Sequence, residues 1–210
     1  MTTDDTWPAH VRDLLEAKYL AGDNPRAQSG FGGDEDYWRV ARGVIAEAID
    51  RSGTFLDIGC ASGHLMECIV EWCAARGHAI EPYGLDILPS MADLARSRLP
   101  RWRERIVRAD ARTWAPPQRF DFVRTELVYA PDDEQEQLVA HLLDAVVAPG
   151  GRLIVCAYGS RTRPDQRAED LTARLGAWGH TVAGTRTAVV GDRAVTWVGW
   201  IQLPRSFGRS

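Results

Sequence analysis

Three acidic residues stand where short apolar runs break into glycine or small residues. They are Asp57 in Phe55-Leu56-Asp57-Ile58-Gly59-Cys60-Ala61-Ser62-Gly63, Asp86 in Tyr83-Gly84-Leu85-Asp86-Ile87, and Asp110 in Ile106-Val107-Arg108-Ala109-Asp110-Ala111. Glycines at 59 and 63 let a ligand approach the backbone closely. The dinucleotide fingerprint needs glycine at 61 and 64, which are Ala61 and His64, and a phosphate-binding loop needs a lysine that this segment lacks. The loop therefore suits a smaller anionic end, such as a carboxylate facing the next helix N-terminus, rather than a pyrophosphate. A carboxylate ending the second strand can accept both hydroxyls of a ribose. One ending the third can accept from an exocyclic adenine amine.

The elements that must position these groups alternate along the chain. Residues 8–20 read as an amphipathic helix with Val11, Leu14, Leu15 and Tyr19 at helical spacing, and residues 22–34 as a loop with four glycines. Residues 36–51 form a second helix, with a stripe of Tyr37/Trp38, Ala41, Val44/Ile45 and Ala48/Ile49. Strands are expected at 54–58, 79–85, 106–109, 120–123 and 152–157. Helices are expected after the first strand, with Gly77 as its stop, from Ser90 after the second, and at 133–147 and 164–178. Strands at 181–190 and 194–203, joined by Gly191-Asp192, make a terminal hairpin. This alternation predicts a doubly wound α/β fold with a mostly parallel sheet and right-handed crossovers. Ligands bind such sheets beyond the carboxyl ends of the strands, where the three aspartates fall. We read residues 1–210 as a single domain, with 1–52 as an N-terminal helical cap or lid and 53–204 as a Rossmann-like core.

Taken together, these motifs resemble the class I S-adenosylmethionine-dependent methyltransferases over residues 55–203. The matching features are the glycine loop from Asp57 to Gly63 with Ala61 at the middle glycine, Asp86, Asp110-Ala111, Phe120-Asp121-Phe122-Val123, and Pro149-Gly150-Gly151-Arg152-Leu153-Ile154. The resemblance implies a seven-stranded sheet of order 3-2-1-4-5-7-6, in which the final hairpin supplies the antiparallel strand. It implies S-adenosylmethionine as cofactor and S-adenosylhomocysteine as product. Asp57, Gly59, Cys60, Ala61 and Gly63 would then pack against the methionine portion, Asp86 with Ile87 would hold the ribose, and Asp110 with Ala111 would read adenine N6. Thr125 completes the candidate cofactor contacts. A sulfonium already carries an activated methyl group, so transfer needs positioning and exclusion of water, and a protein base only where the acceptor must lose a proton.

The acceptor side falls to Thr125-Glu126-Leu127-Val128-Tyr129-Ala130-Pro131, where Glu126 could act as a base or orient an amine and Tyr129 could line the pocket. Phe31, Tyr37 and Trp38 could close over the sulfonium through cation–π contact. The segment lacks the Asn/Asp-Pro-Pro-Tyr/Phe and Pro-Cys motifs of two nucleic acid branches of the family. The favoured function is methyl transfer to O or N of a small molecule, such as a secondary metabolite. The alternatives are an RNA methyltransferase using nine arginines between residues 96 and 124, and a non-catalytic cofactor-binding scaffold. His64 reads as cap-proximal and His141 as a core histidine. Four cysteines without a CxxC pair predict neither a metal site nor a disulfide framework. Hydrophobic residues at 45% and charged residues at 26% exclude disordered and collagen-like classes. No apolar run reaches the roughly 18–20 residues that span a bilayer, and the acidic start Met1-Thr2-Thr3-Asp4-Asp5 has no hydrophobic stretch behind it. The expectation is a cytoplasmic monomer or homodimer that does not engage membranes.

Overall fold

The computed structural model describes residues 16–163 and 165–205, so most of the helix read at 8–20 lies outside it, while residues 16–20 are helical. Seven strands form one sheet: β1 (Gly53–Ile58), β2 (Ile80–Asp86), β3 (Ile106–Arg108), β4 (Phe120–Glu126), β5 (Val147–Tyr158), β6 (Val182–Val190) and β7 (Arg193–Gln202). Their order is β3-β2-β1-β4-β5-β7-β6, as the resemblance implied. The first five strands run parallel, and β7 lies antiparallel to both of its neighbours.

Both faces of the sheet are covered, which is why the strands read as continuous apolar runs rather than as alternating ones. Phe55, Phe122 and Ile154 point to one face and pack with Ile45, Ile49 and Ile69, under α1 (Glu35–Ala46) and α2 (His64–Ala74). Their chain neighbours Leu56, Val123, Leu153 and Val155 point to the other face. There they meet Leu138, Val139 and Leu175 of α4 (Gln135–His141) and α5 (Thr172–Ala177). Between these, α3 (Pro89–Arg98) closes the β2–β3 crossover and packs Ala92 and Ala95 against Cys60 and Met66.

Three expected elements end differently, each for a visible reason. The helix read to residue 51 stops at Ala46, because the chain then bends to place Ala48 and Ile49 in the core. The carbonyls freed by the bend are not left bare: Ala46 accepts from Arg76 Nη1 at 2.7 Å and Ala48 from Arg152 Nη1 at 2.7 Å. The helix read to 147 ends at His141 and widens into a π-turn over Leu142–Val146, because Val147 already pairs with Phe120. Pro149-Gly150-Gly151 therefore lies within β5, where Gly150 adopts φ 74° and the register shifts between Phe120 and Phe122. Of the helix read at 164–178, only Thr172–Ala177 forms, and just before its Leu171 N-cap Asp170 Oδ1 accepts from Thr172 N at 2.9 Å. The stretch before it is held against β7 through Ala168 N donating to Ala194 O at 2.9 Å.

Candidate active site

Register brings charge together at the carboxyl ends of the strands. Asp57 on β1 lies directly beside Arg124 on β4, and neighbours in register project to the same face. Glu126, two residues along β4, shares that face. All three carry charge and meet at the end of a buried sheet. Arg124 is 3% exposed and spends its guanidinium on five acceptors. Nη1 donates to Asp57 Oδ1 at 3.2 Å, Ile58 O at 2.9 Å and the Tyr129 hydroxyl oxygen at 3.1 Å. Nη2 donates to Glu126 Oε1 and to the Tyr158 hydroxyl oxygen, the latter at 2.8 Å. The Tyr129 hydroxyl in turn donates to Glu126 Oε1 at 2.7 Å. Burial outweighs the nearby guanidinium at Asp57 and pushes its carboxyl up to about 6. It also drives the Tyr129 and Tyr158 phenols above their ordinary range, so both stay protonated donors.

A cavity of about 750 Å³ opens in front of this network. Its floor is the glycine loop, where Gly59 N and Cys60 N donate to Leu85 O at 2.7 and 3.0 Å. Gly59 has φ 72°, and a Cβ there would collide with the Tyr129 hydroxyl. Ala61 is the single non-glycine residue with positive φ among those described, at 46°. Its N–H donates to Asp86 Oδ2 at 2.9 Å, while Leu88 N donates to Oδ1 at 2.9 Å. Burial pushes the Asp86 carboxyl up to about 6, against those two donors. At the β3 end, Arg112 occupies Asp110: Nη2 donates to Oδ2 at 2.6 Å and Nη1 reaches Glu134 Oε2 at 2.8 Å. Burial favours the neutral Asp110 carboxyl, but the Arg112 hydrogen bonds overcome it and hold the group below its ordinary range.

Of the residues singled out in the sequence, Asp57, Gly59, Cys60, Ala61, Asp86, Ile87, Asp110, Ala111, Glu126, Tyr129, Phe31, Tyr37 and Trp38 share this one wall. Gly63 and Thr125 do not. Gly63 is the left-handed N-cap of α2, and Thr125 is fully buried behind β4. The loop at 22–34 is latched to the glycine loop, because Ser62 Oγ donates to Pro25 O and lies within hydrogen-bond distance of Ser29 Oγ, both at 2.7 Å. Trp38 is anchored by Nε1 donating to Cys68 Sγ at 3.3 Å, and its ring meets Phe31 edge-on with centroids 5.0 Å apart. Further residues shape the wall, and four of them, Tyr19, Arg42, Arg124 and Tyr158, stand beside the Asp57–Glu126 network. Arg124-Thr125-Glu126 carries the one linear signal, a same-face pair visible once β4 is extended past residue 123. Nothing in the sequence marks the other three. The arginines between 96 and 124 do not form one stripe. Arg98 pairs with Glu67, Arg105 with Glu81 and Arg112 with Glu134, while Arg119 donates to Val147 O and Arg124 is internal.

A family described as a methyltransferase domain matches residues 55–151. A trans-aconitate 2-methyltransferase from Methylobacterium radiotolerans is 30% identical over 177 residues, covering 84% of this chain and 62% of that protein. The chain spans less than two thirds of the length of the curated relatives it matches. Among solved structures, the N-methyltransferase NodS from Bradyrhizobium japonicum in complex with S-adenosylhomocysteine superposes with a TM-score of 0.66. It is 19% identical and covers 92% of this chain and 98% of that one. The Burkholderia thailandensis 1,6-didemethyltoxoflavin-N1-methyltransferase gives a TM-score of 0.59 at 18% identity, covering 97% and 93%.

Two outcomes follow from the geometry. Arg124→Met leaves Asp57 buried and Glu126 half-buried without their cation, and denaturant titration should show a loss of about 3–5 kcal/mol. Ala61→Gly releases a left-handed strain of ~1–2 kcal/mol at an entropic cost of ~0.5–1 kcal/mol. The net gain should appear in a thermal melt as a rise of roughly 1–4 °C.

Proposed function

The chain belongs to the class I S-adenosylmethionine-dependent methyltransferases, and from that membership we propose that it transfers the cofactor's methyl group to an oxygen or nitrogen atom of a small molecule. The observation that carries this reading is the convergence of Asp57, Asp86 and Asp110, from the ends of three adjacent strands, on one cavity. Arg124 pairs with Asp57 and Glu126, whereas Asp86 has no cationic partner among the described residues and faces the cavity with hydrogen-bond acceptors to offer. Asp86 would take the ribose hydroxyls, and the glycine loop the methionine portion. Asp110 would take the adenine amine in competition with Arg112. When bound, S-adenosylmethionine supplies the activated methyl group, and the protein's task is orientation and exclusion of water.

Residues 1–52 would act as the cap over this site. The Ser62–Pro25 latch supports that role for the described part, as does the aromatic wall of Phe31, Tyr37 and Trp38. Among the described residues no helix is long and apolar enough to cross a membrane. Cys60, Cys68, Cys73 and Cys156 are all buried free thiols, which suits a reducing cytoplasm. The scattered pairing of the arginines between 96 and 124 favours a small acceptor over RNA, and the relatives' printed activity makes trans-aconitate the first acceptor to try.

Calorimetric titration with S-adenosylmethionine and S-adenosylhomocysteine tests the reading. Binding should weaken by about 1–3 kcal/mol in Asp86→Ala, and absence of binding to the wild-type protein would overturn it. The pH dependence has a definite sign. In the free protein the Asp86 carboxyl sits at about 6, whereas hydroxyl donors from a ribose favour its ionised form. Binding therefore expels a proton below that pH. Affinity for S-adenosylhomocysteine should be flat above pH 7 and fall below pH 6, by up to about tenfold per unit for each coupled carboxyl. Asp86→Asn should flatten that fall.

A further inference from the structure

Four carboxylates line the cavity: Asp57, Asp86, Asp110 and Glu126. Three of them already have work. Both oxygens of Asp110 accept from Arg112. Asp86 accepts from Ala61 N and Leu88 N, and its place at the end of β2 suits the ribose. Asp57 lies behind the cavity surface, 1% exposed, with Oδ1 held by Arg124 at 3.2 Å. Glu126 differs. Two donors fix its Oε1, namely Arg124 Nη2 and the Tyr129 hydroxyl, the latter at 2.7 Å. Its Oε2 has no partner among the described residues and is not sealed off, because the side chain is 19% exposed on the cavity wall. A carboxylate pinned by one oxygen and open at the other is oriented in advance and can still accept a donor.

Its neighbours fix which part of a ligand meets Glu126. The Tyr129 hydroxyl that it holds lies against the glycine loop, so close that a Cβ on Gly59 would collide with it. Arg124, on the other side of Glu126, donates to Ile58 O at 2.9 Å, one residue before that glycine. Tyr19 comes near from the N-terminal segment. Burial raises its phenol, and the charges of Glu126 and Asp86 both add to the rise, so it stands close to the two carboxylates at once. Glu126 is therefore placed at the start of the glycine loop, on the side toward Asp86, where the methionine portion of the cofactor would lie. That portion carries an α-ammonium, which gives up water on binding and needs an anion in exchange. The N–H groups of the loop suit the methionine carboxylate but cannot serve the ammonium, since both are donors.

Resting on the methyltransferase reading above, we propose that Glu126, through Oε2, is the counter-ion of the cofactor's α-ammonium, and that Arg124 and Tyr129 are the residues that position it. Asp57, the acid of the glycine-loop motif, then acts at one remove, by anchoring Arg124. A carboxylate engaged with an ammonium is not free to take a proton from the acceptor. Glu126 thus governs affinity for the cofactor's amino acid portion, not the chemistry of the acceptor.

Calorimetry with two probes tests the assignment. S-Adenosylhomocysteine carries the amino acid portion, whereas 5′-methylthioadenosine keeps the nucleoside and the thioether without it. The wild-type protein is compared with Glu126→Gln, which keeps the shape of the side chain and removes its charge, and with Asp57→Asn. In Glu126→Gln the dissociation constant for S-adenosylhomocysteine should rise about 30-fold, the ~2 kcal/mol of a hydrogen bond to a charged group. That for 5′-methylthioadenosine should stay unchanged, which also reports that the nucleoside end of the cavity remains folded. Asp57→Asn should cost S-adenosylhomocysteine less than Glu126→Gln does. An equal loss of both ligands in Glu126→Gln overturns the assignment, by making Glu126 a support of the cavity as a whole. Unchanged affinity for both overturns it as well. A selective loss of S-adenosylhomocysteine that is larger in Asp57→Asn overturns it by giving the ammonium to Asp57. Binding of neither ligand by the wild-type protein overturns the methyltransferase reading itself.

Discussion

A guanidinium buried at the carboxyl end of a parallel sheet must be surrounded by acceptors, because water cannot reach it to do the same work. Arg124 meets most of that requirement by drawing five partners to Nη1 and Nη2 from three strands and the turn after β4, and leaves Nε buried without a partner among the described residues. Satisfying one side chain in this way determines much of the cavity. It fixes Glu126 at the end of β4 and Tyr129 in the turn that follows, sets Tyr158 at the end of β5, and holds Asp57 beside the glycine loop. The Tyr129 hydroxyl then sits so close to Gly59 that the loop tolerates no side chain there. The glycine loop and the turn after β4 are thus tied through one buried cation rather than assembled independently.

The network also explains a division of labour among the polar groups. Those at the β1–β3 ends are carboxylates, with Asp57 and Asp86 burdened by desolvation and improved by donors or positive charge from a ligand. Those at the β4–β5 ends and on α1 are phenols held neutral, guanidinium groups and the Glu126 carboxylate that bridges Arg124 and Tyr129.

Much of this was legible in the chain itself. The apolar runs ending in Asp57, Asp86 and Asp110, the glycines around them, and the Gly191-Asp192 turn place the strands and point to the end of the sheet where the cavity opens. Misjudged boundaries occurred where tertiary partners override local preference. The helix to Ala46 is cut short by the core's demand for Ile49, and Arg76 and Arg152, distant in sequence, make the cut possible by taking the freed carbonyls. Val147 is drawn out of a helical pattern by pairing with Phe120.

Sequence alone determined the doubly wound fold, the glycine loop and the three strand-end acids. Each depends on periodicity, turn chemistry or immediate neighbours, and those interactions reach only a few residues. Only the tertiary structure decided that Asp57 and Arg124, 67 residues apart, lie side by side, because strand register is settled by packing across the whole sheet. Only it decided that Arg112 occupies Asp110, and that Arg42 lies against the rings of Tyr158, Phe31 and Trp38 with no acid partner among the described residues. Whether a charge is spent or available depends on which distant partners the fold delivers to it, and no spacing along the chain encodes that.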